Sequence, residues 1–286
     1  MSRWSDRRRR FRAVIEGDRC VHPASVFDPI SARIAEDLGF EMGMFAGSVA
    51  SMTVLGAPDL IVLTLSEFAD QAYRIGRAGD LPLMVDADHG YGNALNVMRT
   101  VEELENAGVA GLSIEDTALP QPFGSGGKAS LLSTEEGVGK VRAALAARKD
   151  PDLVIAGRTS APSITSVADA IARAKAYEAA GSDAIFLVGV KSRDDLDAIA
   201  EAVDRPLILG GVPAEMMDLD YLSARKVRIC LQGHQPFAAA VQAVHDTLAA
   251  LKDGTAPADL KGVAGKALMT RVTRGDDYDG WTKDFL

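Results

Sequence analysis

Cysteine is scarce. The 286-residue chain has only Cys20 and Cys230, which excludes a disulfide framework. Both lie in short apolar runs, Arg19-Cys20-Val21 and Ile229-Cys230-Leu231, and read as buried, reduced thiols of a reducing compartment. Long hydrophobic runs are missing too. The longest candidate, Val54 to Leu65, is broken by Gly56, Pro58 and Asp59, and falls short of the ~18 apolar residues of a membrane span. No apolar segment of signal-peptide type follows Arg7-Arg8-Arg9-Arg10, so a cytoplasmic protein with no membrane partner is expected. Positive charge is outnumbered, with 31 Lys and Arg against 40 Asp and Glu and a formal charge of −9. That balance argues against nucleic-acid binding, which needs a basic face. The Arg run therefore reads as a solvated first helix rather than a nucleic-acid arm.

What is present is an ordinary globular mix, 47% hydrophobic and 25% charged, rich enough in apolar residues to exclude a disordered chain. Short, nearly continuous apolar segments begin near Cys20, Glu41, Pro82, Ala110, Leu153, Asp183, Pro206 and Val227. Runs of that kind are expected of parallel strands buried on both faces. Helical periodicity separates them, over Ser31–Leu38, Ser66–Arg77, Ala94–Asn106, Thr134–Arg148, Ser166–Ala179, Arg193–Ala202 and Pro236–Leu251. Several of these helices stop at a glycine, as at Gly39, Gly108 and Gly181, where the left-handed conformation closes the last turn. Eight such repeats in about 250 residues predict an α/β fold of the (β/α)8 TIM-barrel type, with a doubly wound open sheet as the alternative. No linker divides the chain, so residues 1–286 read as one domain. A tail over about 254–286, ending with Trp281 and Phe285, either docks on a neighbour or frays.

In such a barrel the chemistry sits at the C-terminal ends of the strands. Those ends are Asp28, Gly47-Ser48, Asp86 and Asp88, Glu115 and Asp116, Arg158, Gly189, Gly210 and His234. Asp86-Ala87-Asp88-His89-Gly90-Tyr91-Gly92 is the most informative run, because two Asp straddle a strand end before two glycines turn the chain away. Each carboxylate alone would pass as a helix cap. Converging, they would repel one another without a cation, and Mg2+, with Mn2+ as a possible substitute, resolves that repulsion through oxygen ligands. Asp86, Asp88 and Glu115, with Asp59 as a further acid, are the candidate metal residues. Zinc is disfavoured, because no Cys/His cluster has ligand spacing. Arg158 offers a fork to a substrate carboxylate or phosphate, or else a structural ion pair with the barrel acids. His234 is the best placed of four His. His89 could orient the acids, Tyr91 lines the mouth or packs, His22 lies inside the first strand, and His245 suits a surface helix. Gly47-Ser48 supplies donors for an oxyanion. The glycine-rich stretch from Thr117 to Ser133 has the length of an active-site lid.

Asp86–Gly92, Ser113-Ile114-Glu115-Asp116 and Gly157-Arg158-Thr159 resemble the isocitrate lyase/phosphoenolpyruvate mutase superfamily, from about Val26 to His234. The runs Ser25-Val26-Phe27-Asp28-Pro29, Gly47-Ser48-Val49-Ala50-Ser51, Asp86 to Thr100 and Glu135 to Lys140 are most similar to its bacterial oxaloacetate decarboxylase branch. The resemblance implies a barrel whose last helix is exchanged between subunits of a homodimer or homotetramer. It also implies Mg2+ held directly by Asp86, with Asp59, Asp88 and Glu115 acting through water. Ser48, Arg158 and His234 match positions that contact an α-keto acid. The superfamily's lyases carry a lid Cys, and none lies between Thr117 and Ser133. The chain also departs from the pattern at Ser160, at Gly210-Gly211-Val212-Pro213, and at Gln235-Pro236.

The implied activity is Mg2+-dependent decarboxylation of oxaloacetate to pyruvate and CO2, with Mg2+ stabilising the enolate as a Lewis acid and Arg158 and His234 holding carboxylates. Its rivals are another α-keto or 2-hydroxy acid carbon–carbon lyase, a phosphonopyruvate-type carbon–phosphorus hydrolase, and a barrel that binds a metabolite without turnover.

Overall fold

A computed structural model describes residues 4–286. Eight parallel strands follow one another in sequence order: β1 Ala24–Ser25, β2 Gly43–Phe45, β3 Leu83–Asp86, β4 Gly111–Glu115, β5 Val154–Thr159, β6 Ala184–Leu187, β7 Leu207–Leu209 and β8 Val227–Cys230. The sheet curls until its edges meet. Val21, just ahead of β1, bridges Ile229 of β8 in parallel, with Val21 N–H donating to the Arg228 carbonyl at 2.9 Å and Cys230 N–H to the Val21 carbonyl at 3.0 Å. The open, doubly wound alternative is thereby set aside, since its strand order would reverse at a switch point.

Helices alternate with the strands: α1 Ser5–Glu16, α2 Pro29–Asp37, α3 Gly47–Ala50 continued by a π turn at Ser51–Leu55, α4 Leu65–Gly76, α5 Ala94–Asn106, α6 Thr134–Ala147, α7 Ala161–Ile164, α8 Val167–Ala180, α9 Arg193–Ala202, α10 Leu219–Ala224, α11 Gln235–Lys252, α12 Lys266–Thr273 and α13 Gly275–Phe285. Side-chain caps set several starts. Thr64 and Glu67 form a capping box at α4, and Asn93 and Asn96 form one at α5, each satisfying backbone N–H groups that the first turn leaves open.

Strand residues turned inward fill the barrel with Met42, Met44, Met84, Val154, Ala156, Ala184, Phe186, Ile208 and Ile229. Two further apolar layers separate strands from helices. Helix α1 plugs the bottom of the barrel with Phe11 and Ile15, both buried.

The Arg run lies in the first helix, as expected, and Arg9 and Arg10 face solvent, but the reading of a solvated run is corrected at Arg7 and Arg8. Arg7 and Arg8 are 2% and 3% exposed. Arg7 Nη1 donates to the Gly76 carbonyl at 2.5 Å. Arg8 donates to the carbonyls of Val109 and Glu105, at 3.0 and 2.5 Å, and pairs with Asp150 at 2.8 Å. The guanidinium groups reach backbone oxygens at and just beyond the ends of α4 and α5, where the helices run short of N–H donors; the Glu105 carbonyl also accepts from Gly108 N–H at 3.1 Å.

Asp28 is also corrected. It does not face the mouth but caps α2, accepting from Ser31 N–H at 2.6 Å.

Candidate functional site

The cavity at the C-terminal end of the sheet has a volume of about 490 Å3. Strand register builds its centre. Asp86 of β3 lies beside Ser113 of β4, and Glu115 of β4 beside Arg158 of β5. Ser113 Oγ donates to Asp86 Oδ1 at 3.1 Å, and Thr117 Oγ1 donates to Glu115 Oε2 at 2.8 Å. Arg158 pairs with Asp86 Oδ2 and lies 3.4 Å from Glu115 Oε2. Its guanidinium carbon sits 5.3 Å from the centre of the Phe186 ring, within reach of a cation–π contact.

Asp88 follows β3 in the left-handed region, with φ of 47°, which Asp tolerates better than most residues. Its carboxylate lies so close to Gly47 that a Cβ there would come within 2.5 Å of Oδ2, so the glycine permits the approach. The loop is pinned from below. Lys140 Nζ donates to the His89 carbonyl at 2.8 Å, Thr100 Oγ1 to the Gly90 carbonyl at 3.0 Å, and Glu115 N–H to the Asp88 carbonyl at 2.9 Å.

Burial, reinforced by the charges of Asp86 and Glu115, pushes the Asp88 carboxyl well above its ordinary value. Burial also raises Glu115, against the pull of Arg158. Asp59, at the exposed rim, is raised by partial desolvation and then by the charge of Asp86. Burial lowers His234 despite Asp86 and Asp59, which favours a neutral ring.

Of the residues singled out in the sequence, Ser48, Asp59, Asp86, Asp88, Glu115, Arg158, Gly210 and His234 line this one cavity, and Gly47 backs Asp88. Others lie elsewhere. Asp116 is buried behind β4, where it accepts from Arg173 at 2.9 Å and Tyr177 at 2.5 Å. The His89 ring does not orient the acids. It is buried, its Nδ1 has no hydrogen-bond partner, and desolvation and Lys140 lower its pKa to about 4. The Tyr91 hydroxyl is buried without a partner, and its ring packs near Phe68 and His89. His22 Nδ1 meets the Cys230 carbonyl at 2.8 Å, and His245 is exposed beside Asp246. Ser160 is buried at the start of α7 and, like Gly211 to Pro213, does not line the cavity.

Sequence reasoning missed Ser25, Ser113, Thr117 and the apolar floor of Met44 and Phe186. Residues 117–133 form a hairpin stitched at its base, where Leu132 N–H donates to the Asp116 carbonyl at 2.8 Å. Leu119, Pro120 and Gln121 roof the cavity.

Among the described residues, no three His, Cys, Asp or Glu side chains form a ready all-protein metal cage. The donors are nonetheless all oxygen, and four carboxylates face a single guanidinium. That set fits a hard divalent cation that keeps much of its water.

Fold and site together define a class: a parallel α/β barrel-type chain with an acid-rich, guanidinium-bearing mouth at the C-terminal ends of its strands. The chain belongs to the phosphoenolpyruvate phosphomutase family, whose sequence profile matches residues 11–252. It is 61% identical over 271 residues to an oxaloacetate decarboxylase of Rhodopseudomonas palustris (strain BisB18), covering 95% of this chain and 94% of that protein. Among solved structures, it is similar to oxaloacetate acetylhydrolase in complex with 3,3-difluorooxalacetate (TM-score 0.86, 28% identity, 98% of this chain and 97% of that one). It is also similar to phosphonopyruvate hydrolase in complex with oxalate and Mg2+ (TM-score 0.84, 28% identity, 98% and 99%). Among the described residues, no helix is long and apolar enough to cross a membrane.

Proposed function

We propose that the protein is an oxaloacetate decarboxylase that releases pyruvate and CO2. The observation that carries this reading is the meeting of Asp86, Asp88, Glu115 and Asp59 with Arg158 and His234 around one small cavity. The decarboxylase relative at 61% identity supports oxaloacetate as the acid.

Arg158 and His234 hold the substrate carboxylates and set the C3–C4 bond perpendicular to the carbonyl plane. When that bond breaks, its electron pair moves toward the C2 carbonyl, CO2 leaves, and C3 later takes a proton. Asp86, with Asp88, Glu115 and Asp59 through water, would hold Mg2+ or Mn2+, which when bound supplies Lewis-acid stabilisation of the charge on the keto oxygen. The Gly47-Ser48 backbone and hydroxyl add donors for that oxygen. Residues 119–121 limit access of water from above. No protein nucleophile is needed, in keeping with a Cys-free 117–133 segment.

The test is pyruvate release from oxaloacetate with and without Mg2+, corrected for the metal's own rate. Release well above that background supports the reading, and none above it removes it. Phosphate release from phosphonopyruvate would point instead to the hydrolase chemistry of a structural relative.

We assign the working unit to a single closed (β/α)8 barrel domain with its tail over about 254–286, in the cytoplasm, assembled as a homodimer or homotetramer with the last barrel helix, α11, exchanged between copies. Helix α11 has no buried residue. Its Phe237, Val241, Val244, Leu248 and Leu251 recur at alternating spacings of four and three, forming one apolar stripe.

A further inference from the structure

We propose that Ser25 is a positioning residue that fixes the tautomer of His234, presenting an N–H to the substrate. Its catalytic consequence rests on the decarboxylase reading above.

Ser25 ends β1 and His234 begins α11. Ser25 Oγ lies 2.9 Å from His234 Nδ1. That contact occupies one ring nitrogen and leaves Nε2 for the cavity that His234 lines. A neutral imidazole has one proton to place. If Nδ1–H donated to the hydroxyl, Nε2 would present a lone pair to an anionic substrate. If the hydroxyl donates to Nδ1, Nε2 keeps the proton and becomes a donor to a carboxylate. The electrostatics favour the second arrangement, with Ser25 as donor. The start of α11 is held beside β1 as well, where the Phe237 ring packs edge-on against Phe27 at 5.3 Å, so the backbone that carries His234 stays within reach of Ser25.

The experiment combines kinetics with 15N NMR of histidine-labelled protein. Ser25→Ala should lower kcat/KM for oxaloacetate by about tenfold, the size expected for one hydrogen bond to an ionic group. Ser25→Thr, which keeps the hydroxyl, should recover most of it. In a His234→Ala background, Ser25→Ala should have little further effect, because the two residues act as one unit. The spectrum of the unmodified protein should show His234 protonated at Nε2, and Ser25→Ala should mix the tautomers. A proton on Nδ1 in the unmodified protein, or an equal loss from Ser25→Ala with and without His234, would overturn the proposal. If the unmodified protein released no pyruvate, the decarboxylase reading would fall, while the spectrum would still decide the Ser25–His234 arrangement.

Discussion

Asp88 shows how strongly the acids at the mouth constrain one another. Its carboxyl is raised by burial and by Asp86 and Glu115, and Glu115 and Asp59 are raised as well. In the unfolded chain such groups titrate near about 4. Between that value and their higher folded values, the native state binds more protons than the unfolded one. Their contribution to the stability of the metal-free protein therefore falls as pH rises through that window. Thermal unfolding with a chelator should give a Tm contribution from these groups that is present near about pH 4 and is lost as pH rises above it, so that removing one raised carboxyl with Asp88→Asn flattens the fall. Added Mg2+ should raise Tm by more at higher pH, since it binds the ionised carboxylates of the folded state alone. A chelated Tm with the same pH dependence in Asp88→Asn as in the unmodified protein would contradict the raised carboxyls. At the same scale, Asp86→Ala should cut pyruvate release by roughly a hundredfold or more, the loss expected when one group stabilising transition-state charge is removed. It should leave the circular dichroism spectrum unchanged. Retained turnover at saturating Mg2+ would remove Asp86 from its assigned place.

At the scale of the element, α1 behaves as a plug rather than a surface helix. Phe11 fills the barrel floor and is fully buried, so Phe11→Ala should destabilise by roughly 3–5 kcal/mol. Arg8→Ala would remove the side-chain donor to the Val109 and Glu105 carbonyls and the buried cation beside Asp150, at a loss of about 3 kcal/mol. Urea unfolding measures both, and a midpoint unchanged in either variant would return that side chain to the surface. The elements also show what a sequence conveys. Ala94–Asn106 and Arg193–Ala202 are read to the residue, because Asn93 and Ser192 cap them and apolar spacing carries them onward. Asp86, Glu115 and Arg158 are legible because each lies at or next to the end of an apolar run that reads as a strand, and His234 because it follows the last one. Asp28, Arg7 and Arg8 are misread because a capping box and a set of distant carbonyls claim those side chains, whereas Arg9 and Arg10 are solvated as expected. Ser25, Ser113 and Lys140 are illegible for a related reason: their partners lie 209, 27 and 51 residues away, and no local pattern marks them.

For the whole molecule, the unfinished part is the side of the barrel where the eighth helix should pack. The barrel helices α2, α4, α5, α6, α8, α9 and α10 all bury part of one face, whereas α11 leaves Val241, Val244 and Leu248 at 53%, 59% and 61% exposed. Covering the exposed halves of these three side chains is worth roughly 2–5 kcal/mol per helix, which offsets part of the cost of association. The tail does not do it within one chain. Helix α12 instead packs against α2, with Val272 buried and Arg274 paired with Asp37 at 2.8 Å. The unmodified protein should therefore run as a dimer or tetramer in light scattering at micromolar concentration. Val244→Asp with Leu248→Asp should shift it toward the monomer, because a carboxylate in each copy of the stripe cannot be buried unpaired. His234 opens this same helix, so the dissociated variant should also lose part of its turnover, recoverable by raising protein concentration. A native chain that is monomeric under these conditions, or a double variant that stays assembled, would place the subunit contact somewhere other than α11.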